Sequence, residues 1–389
     1  MSCPRYPKYK ASGVEWLGDV PEGWRVGPLK RLITASSGTD SKSELGDFPL
    51  YGANGIIGLS ETVSQPNGAL LVGRVGSAGS ITLASEPCAV SDNALIVRSV
   101  IDTHKAYLFY LLTSLNLSAD ISKNAQPLIT STALVNKSIA FPIQISEQAA
   151  IAEFLDRETG KIDELVAEQR RLMELLKEKI ASLVLSSVGL PSTKRLRFRD
   201  AASIIYRPVL QKQEESYTRI GLFNRGRGLF HKDASEMDEM GESDFFWIEE
   251  GDLIISGQFA WEGAVAMAGK ADTGCVVSHR YPVLRGVPRI ALTEYLFGLL
   301  CTNHGDFLLN ENSRGAAGRN RPLNIRYLMK ETIPIPSMQI QEAVARAIDS
   351  RAVLFQEISN AIDLLQERRT SLISAAVTGQ IDVRQQPRN

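Results

Sequence analysis

Apolar residues recur at alternating steps of three and four along two long stretches of the chain. The first series is Ile162, Leu165, Gln169, Leu172, Leu176, Lys179 and Leu183; the second is Phe355, Ile358, Ile362, Leu365, Arg369, Leu372 and Ala376. Such spacing is an a/d heptad seam and predicts helices that pack lengthwise on other helices. The pairing candidates are Ile162, Leu165, Leu172, Leu176 and Leu183 in the first, and Phe355, Ile358, Ile362, Leu365 and Leu372 in the second. Ser146-Glu147 suits a helix start, although Ala149 excludes a capping box; Gly189 and Gly379 suit the stops. A helix of about 40 residues would run roughly 60 Å at 1.5 Å per residue. That is too long for one small globule to bury, so the two seams most simply bury each other as an antiparallel pair.

Outside the seams the pattern shortens. Leu70-Leu71-Val72, Ala94 to Val97, Leu253-Ile254-Ile255 and Pro282-Val283-Leu284 read as short buried strands. Tyr107 to Leu115 and Tyr295 to Thr302 read as short helices, and glycine-rich turns punctuate the rest. These pieces come twice, in the same order. Cys88-Ala89-Val90-Ser91 matches Cys275-Val276-Val277-Ser278, Arg98 matches Arg285, Tyr107 to Leu112 matches Tyr295 to Leu300, and Pro127-Leu128 matches Pro322-Leu323. The helices repeat as well: Ile151-Ala152 through Leu155-Asp156 corresponds to Val344-Ala345 through Ile348-Asp349, and Ser182-Leu183 to Ser371-Leu372. The offset falls from 193 to 189 between those anchors, so the second helix lacks four residues, close to one turn. The chain is thus a tandem of two globule-plus-helix units with a common frame and divergent loops, the arrangement expected of related modules that read different targets.

At 389 residues the chain is long enough for two or three cores, and 44% hydrophobic with 22% charged residues is an ordinary soluble composition. A net charge of −1 gives no global basic field, so any nucleic-acid contact must come from local patches. Cys3, Cys88, Cys275 and Cys301 are scattered with no CxxC pair, so neither a zinc site nor a disulfide framework follows, and a reducing cytoplasm fits best. No apolar run reaches membrane-spanning length.

Catalytic signatures are missing. Gly73 to Gly79 is neither GxGxxG nor a Walker A loop and reads as a turn beside a strand. Gly263 to Lys270 is followed by Ala271 where a P-loop needs Ser or Thr. His104, His231, His279 and His304 lack metal-ligand spacing, and Ser91 and Asp92 with His104 form no recognisable triad. The Asn/Asp-Pro-Pro-Tyr/Phe methyltransferase signature is absent. What remains is loop chemistry suited to DNA. In the first globule Tyr51 and Asn54 sit in a glycine-flexed loop, Arg74 can hold a phosphate or guanine, and Lys123, Asn124 and Gln126 combine a cation with amides that pair with adenine. In the second, Arg225, Arg227, Lys232, Arg314, Arg319, Asn320 and Arg321 supply forks for phosphates and guanine edges. Taken singly, each is more simply a solvated surface residue; the clustering of Arg314 to Arg321, at the position matching Lys123 to Gln126, is what singles out that loop pair.

The opening Tyr9 to Gly18, followed by Pro21-Glu22-Gly23-Trp24, resembles the start of type I restriction–modification specificity subunits. Glu147 to Asp156 and its copy Gln341 to Asp349 are similar to the start of that family's spacer helices, and Leu372 to Ile381 to its C-terminal helix ending. The resemblance implies an α+β fold with two target recognition domains in tandem, each followed by a long helix, the helices pairing as an antiparallel coiled coil with pseudo-two-fold symmetry. The expected divisions are 1–145 and 191–336 for the recognition domains, 146–190 and 337–381 for the spacer helices, and 382–389 for a flexible tail. It further implies a non-catalytic subunit in which each domain reads half of a bipartite double-stranded DNA target and the helices set the gap. Two methyltransferase subunits would dock on the helices, and motor-nuclease subunits would join for cleavage. S-adenosylmethionine, ATP and Mg²⁺ would belong to those partners and none to this chain. The competing expectation is a coiled-coil adaptor whose globules bind protein; an enzyme with an unrecognised site is weaker still.

Overall fold

The structure is a computed structural model that describes residues 4–115, 117, 128–210, 216–224, 227–236, 243–313, 315 and 321–384. It divides into two units, the first comprising residues 1–168 and 361–389 and the second residues 169–360. Each of the two long helices, Ile145–Val188 and Met338–Val377, contributes one part to each unit.

Both units are built on the same antiparallel four-stranded sheet. In the first the strand order is Ile33–Ser37, Ala94–Ser99, Leu70–Gly73, Ile81–Leu83. In the second it is Ala202–Ile204, Val283–Gly286, Leu253–Ile255, Val265–Met267. The four expected strands are therefore present, and each lies inside its sheet. Their unbroken apolar runs have a reason. Successive strand side chains face opposite sides, and here both sides are covered. Leu70, Val72, Leu95 and Val97 enter the main core of the first unit, while Leu71, Ala94 and Ile96 close a smaller cluster with Tyr51, Cys88 and Val90. In the second unit Leu253, Ile255 and Leu284 face the main core and Ile254 and Val283 the lesser one.

The short helices Lys105–Ser114 and Thr293–Leu300 lie where the sequence places them, with Tyr107 and Tyr295 fully buried. A two-stranded ladder follows the same plan twice: Arg25–Pro28 with Ser138–Phe141, and Lys194–Arg197 with Thr332–Ile335. A buried glutamine at the start of each long helix clasps the frame. Gln148 accepts from the His104 N–H (2.9 Å) and donates to the Pro142 carbonyl (3.0 Å). Gln341 accepts from the Leu292 N–H (2.8 Å) and donates to the Pro336 carbonyl (2.9 Å). Such buried amides hold their elements because losing one partner would strand the other in an apolar site.

The long helices are 44 and 40 residues, in keeping with the four-residue loss. Within the first unit they run antiparallel. Ile151, Phe154 and Leu155 share a core with Ile373, Ala376 and Val377, and Asp163 pairs with Arg369 at 2.9 Å. Within the second, Ile180 and Val184 pack with Val344 and Ile348, and the Lys177 ammonium lies over the Phe355 ring. Along the second helix Gln341, Val344, Ile348, Arg351, Phe355, Ile358, Ile362, Leu365, Arg369, Leu372 and Ala376 are all covered, and near its end Ile373 and Val377 are buried as well. The first helix differs from the sequence expectation. Its covered series is Ile162, Val166, Gln169, Met173, Leu176, Ile180 and Leu183, with Lys177 and Ala181 partly covered beside it. Leu165 and Leu172 remain 45% and 44% exposed. Alternate members of that seam fall one residue later than expected, because Leu165-Val166 and Leu172-Met173 are adjacent apolar pairs and only one of each can face the partner helix.

The chain ends meet in the first unit. Tyr6 and Trp24 both donate to Glu147 Oε1 (2.9 and 3.0 Å), Tyr9 donates to the Gly379 carbonyl (3.0 Å), and the Asp382 N–H donates to the Pro4 carbonyl (2.7 Å). Gly379 has φ +76°, the left-handed conformation of a helix C′ residue, and Gln380 N–H returns to the Ala375 carbonyl (2.9 Å). Asp382 and Val383 are buried, so the tail does not begin at 382; backbone pairing to Pro4 and the Arg384 guanidinium over the Tyr6 ring (4.6 Å) hold it there.

Candidate nucleic-acid interface

In the first unit the loop chosen from sequence becomes a hairpin. Strands Phe48–Gly52 and Gly55–Ser60 pair around Ala53-Asn54, with Gly52 opposite Gly55, and Asn54 is exposed at the turn. Tyr51 is not available to DNA. Its strand pairs on both edges, with Gly55–Ser60 and with Ala89–Val90, and alternation turns the ring into the small core beside Leu71 and Ile96. Arg74 is also committed within the unit: its guanidinium donates to Ser37 Oγ (2.8 Å) and the Asp92 carbonyl (3.4 Å). Lys123, Asn124 and Gln126 lie outside the described residues.

The second unit has more to offer. A hairpin of Ile220–Leu222 and Leu229–His231 carries a loop closed by the Phe223 N–H on the Gly228 carbonyl (3.0 Å), with Gly228 at φ +103°. Arg227 sits on this loop. Its Nε donates to the Asn224 carbonyl (3.0 Å), and its guanidinium lies 5.3 Å from the Phe223 ring centroid. Phe223 in turn packs on Phe230, centroids 4.8 Å apart. Facing the loop is a cleft of about 1110 Å³ lined by Asn224, Arg227, Trp261, Glu262, Phe307 and Asn310, among others. Arg321 stacks on the Trp261 ring at 5.4 Å and reaches Asn310 Oδ1 at 3.5 Å. Asn224 donates to Glu262, and Lys177 pairs with Glu174 on the same wall (2.7 Å). Cys301 lines the cleft too; burial pushes its thiol up to about 12, so it stays protonated. Lys232 is exposed beyond the hairpin, next to His231, which is engaged with Asp272 at 2.8 Å. Arg225, Arg314, Arg319 and Asn320 lie outside the described residues.

The structure thus brings Arg227 into the cleft and sets Arg321 against two of its lining residues, Trp261 and Asn310. Phe223, Asn224, Trp261 and Asn310 are the partners that sequence reading missed. For Phe223 and Asn224 a signal existed, since an aromatic and an amide directly precede Arg225-Gly226-Arg227. Trp261 and Asn310 are brought in only by tertiary folding. A second charged node is structural: Asp252, fully buried, takes Arg207 (2.7 Å) and Arg285 (2.6 Å), and its hydrogen bond raises the Arg207 guanidinium further above its usual range. Among the described residues no group of three or more His, Cys, Asp or Glu could hold a metal ion, and no helix is long and apolar enough to cross a membrane.

A repeated sheet frame with unlike loops, tied to long antiparallel helices, defines a duplicated two-unit architecture rather than a single globule. Residues 21–172 match the sequence model of the type I restriction modification DNA specificity domain, so the resemblance to type I restriction–modification specificity subunits is borne out. The chain is 27% identical over 165 residues to the type I restriction enzyme EcoprrI specificity subunit of Escherichia coli, a match covering 40% of this chain and 41% of that protein. A structure solved to show complex assembly and conformational transition of the type I R-M system aligns with TM-score 0.54 and 15% identity, over 92% of this chain and 98% of that one. The fold, an α+β tandem with long helices, is shared with it. An S subunit of a type I restriction-modification system from M. genitalium aligns with TM-score 0.49 and 14% identity over 91% and 96%.

Proposed function

We propose that this chain is the sequence-reading subunit of a type I restriction–modification complex, with each unit reading one half of a bipartite double-stranded DNA target. The observation that carries this reading is the duplication itself. Residues 21–172 match a DNA specificity domain, and the second unit repeats its sheet order while replacing its loops. A frame kept twice and loops kept once each is what two half-sites of different sequence require. The exposed loop residues Asn54, Arg227, Lys232 and Arg321, with Lys123, Asn124, Gln126, Arg225, Arg314, Arg319 and Asn320, are the proposed contacts. Phosphate contacts position such a protein and base-edge contacts specify its site. The long helices set the distance between half-sites and dock two methyltransferase subunits, and motor-nuclease subunits join for cleavage. This chain supplies no catalytic group; S-adenosylmethionine, ATP and Mg²⁺ serve the partners.

Methylome sequencing of a host with and without the gene, co-expressed with its methyltransferase partner, tests the reading. The expected result is a bipartite motif methylated on adenine only when this chain is present. An assembled complex that leaves the methylome unchanged and binds no duplex preferentially overturns it.

A further inference from the structure

We propose that Asn93 and Arg280 hold one equivalent position in the two units, and that each sets the base preferred at a single place in its own half-site. This rests on the DNA-reading function proposed above and adds to it a pair of residues outside the contacts named there. Each residue stands at the corner of a β-turn. The Ala94 N–H donates to the Ser91 carbonyl (3.2 Å) and the Tyr281 N–H to the Ser278 carbonyl (2.9 Å), so Asp92-Asn93 and His279-Arg280 are the central pairs. Both turns are pinned to a neighbouring strand end in the same way. The Asn93 carbonyl accepts from the Arg74 N–H (2.8 Å), and the Arg280 carbonyl from the Gly257 N–H (2.6 Å). The Arg74 and Gly257 carbonyls accept in turn from the Ile129 and Leu323 N–H groups (3.0 and 2.8 Å). The same backbone bonds therefore put residues 93 and 280 at the same place in each frame.

That place is the end of the sheet where the proposed contacts gather. In sequence, Ile129 and Leu323 come directly after the segments with Lys123 to Gln126 and Arg314 to Arg321. The hairpin carrying Asn54 reaches the same end, where Ser80 Oγ donates to the Ala53 carbonyl. In the second unit Asn224, on the hairpin carrying Arg227, donates to Glu262, which precedes Val265–Met267 as Ser80 precedes Ile81–Leu83.

The side chains are what differ. Cys88 to Ser91 matches Cys275 to Ser278 before the turn, and Arg98 matches Arg285 after it, yet Asp-Asn stands between them in one copy and His-Arg in the other. All four residues are exposed, and none of their side chains makes a hydrogen bond or ion pair among the described residues. Packing does not choose such residues. Phosphate contact does not explain the difference either. The DNA backbone is the same under both half-sites, so a position serving it calls for a cation in both copies. An amide at one corner and a guanidinium at the other suits unlike base edges, because the two groups favour different bases.

The test uses the assembled complex with its methyltransferase subunits, the methylome it writes, and binding to duplexes in which each half-site position is changed in turn. Arg280→Asn should shift the preferred base pair at one position of one half-site by about ten-fold and leave the other half-site as it was. Asn93→Arg should do the same at one position of the other half-site. Thermal midpoints should stay at the wild-type value. If both variants keep the wild-type motif and preferences, the turns do not meet bases and the inference fails. A shift in one unit alone overturns the equivalence. If affinity falls equally for all sequences and its salt dependence weakens, the side chains hold phosphates, and the inference again fails. Should either variant not assemble, Asn93→Ala and Arg280→Ala decide: a motif degenerate at one position supports the inference, and an unchanged motif overturns it. Absence of any bipartite motif in the wild-type methylome would instead refute the function on which the inference stands.

Discussion

Where the two units align residue for residue, they solve one packing problem in two ways. Tyr110 on the short helix of the first unit hydrogen-bonds Asp156 (2.7 Å) and Thr159 (3.2 Å) on the long helix, and burial pushes its hydroxyl up to about 12. At the matching place in the second unit stands Gly298, where a Cβ would meet Ile348 at 3.2 Å and Val184 and Val344 at 3.3 Å. Glycine there lets aliphatic side chains close in, so Gly298→Leu should overpack the core and lower stability by about 1–3 kcal/mol. An unchanged thermal midpoint would mean that the helices separate without penalty. His304 offers a pH readout. Burial, and then the Arg195 charge, hold its ring below the usual 6.5. The fold therefore prefers the neutral ring. Its contribution is full above about pH 6.5 and is lost as pH falls through the lowered folded-state value. Denaturation midpoints of His304→Asn measured from pH 7.5 to 4.5 should fall less steeply than those of the wild type; parallel curves would refute this. At this scale, the sequence was a poor guide to the site. Tyr51 and Arg74 carry the right chemistry, yet one is turned inward by strand alternation and the other is taken by Ser37 and Asp92. Side-chain direction depends on pairing partners that are distant in sequence, which no local pattern encodes.

Elements were far more legible than residues, for a physical reason. A seam is written in period, and period survives single substitutions. Along the second helix the apolar seam positions from Phe355 to Ala376 are all at least partly covered, with Ile373 buried beside them. Along the first, Ile162, Gln169, Leu176 and Leu183 are covered and Leu165, Leu172 and Lys179 between them are exposed. At Lys179-Ile180 the sequence itself carries the signal, since a charged residue in a seam beside an apolar neighbour argues for moving one position. Burial now separates the two readings by experiment. Ile180 is 5% exposed and Leu172 44%. Ile180→Ala should cost about 2–5 kcal/mol and leave a cavity. Leu172→Ala, on a half-open surface, should cost under about 1 kcal/mol. Chemical denaturation that ranked the two equally, or in reverse, would favour the register through Leu165 and Leu172. The strands were legible because their apolar runs are continuous, a consequence of burial on both sheet faces. Their ladder order was not, because antiparallel neighbours such as Ala94–Ser99 and Ile33–Ser37 are separated by more than fifty residues of chain.

For the molecule as a whole, the four-residue difference between helices of 44 and 40 residues supplies the sharpest test of the proposed spacing role. Four residues add about 6 Å of rise and about 40° beyond a full turn. That rotation keeps the apolar stripe close to its partner, which is why a change of this size is tolerated where one of two residues, about 200° of rotation, is not. If the helices fix the distance between half-sites, inserting four residues into the first helix near Glu174 should lengthen the gap in the methylated motif by about one to two base pairs, given about 3.4 Å per base pair. The half-site sequences themselves should be unchanged, because no reading loop has been touched. Inserting two residues should turn the seam outward and abolish assembly, which size-exclusion of the purified complex would show. The pair of insertions separates two explanations that either alone would confuse. A lengthened gap with four residues and lost assembly with two supports a rigid spacer. An unchanged gap in an assembled four-residue variant would mean that the distance is set by the docked subunits, and the helices would then be a mount and not a ruler.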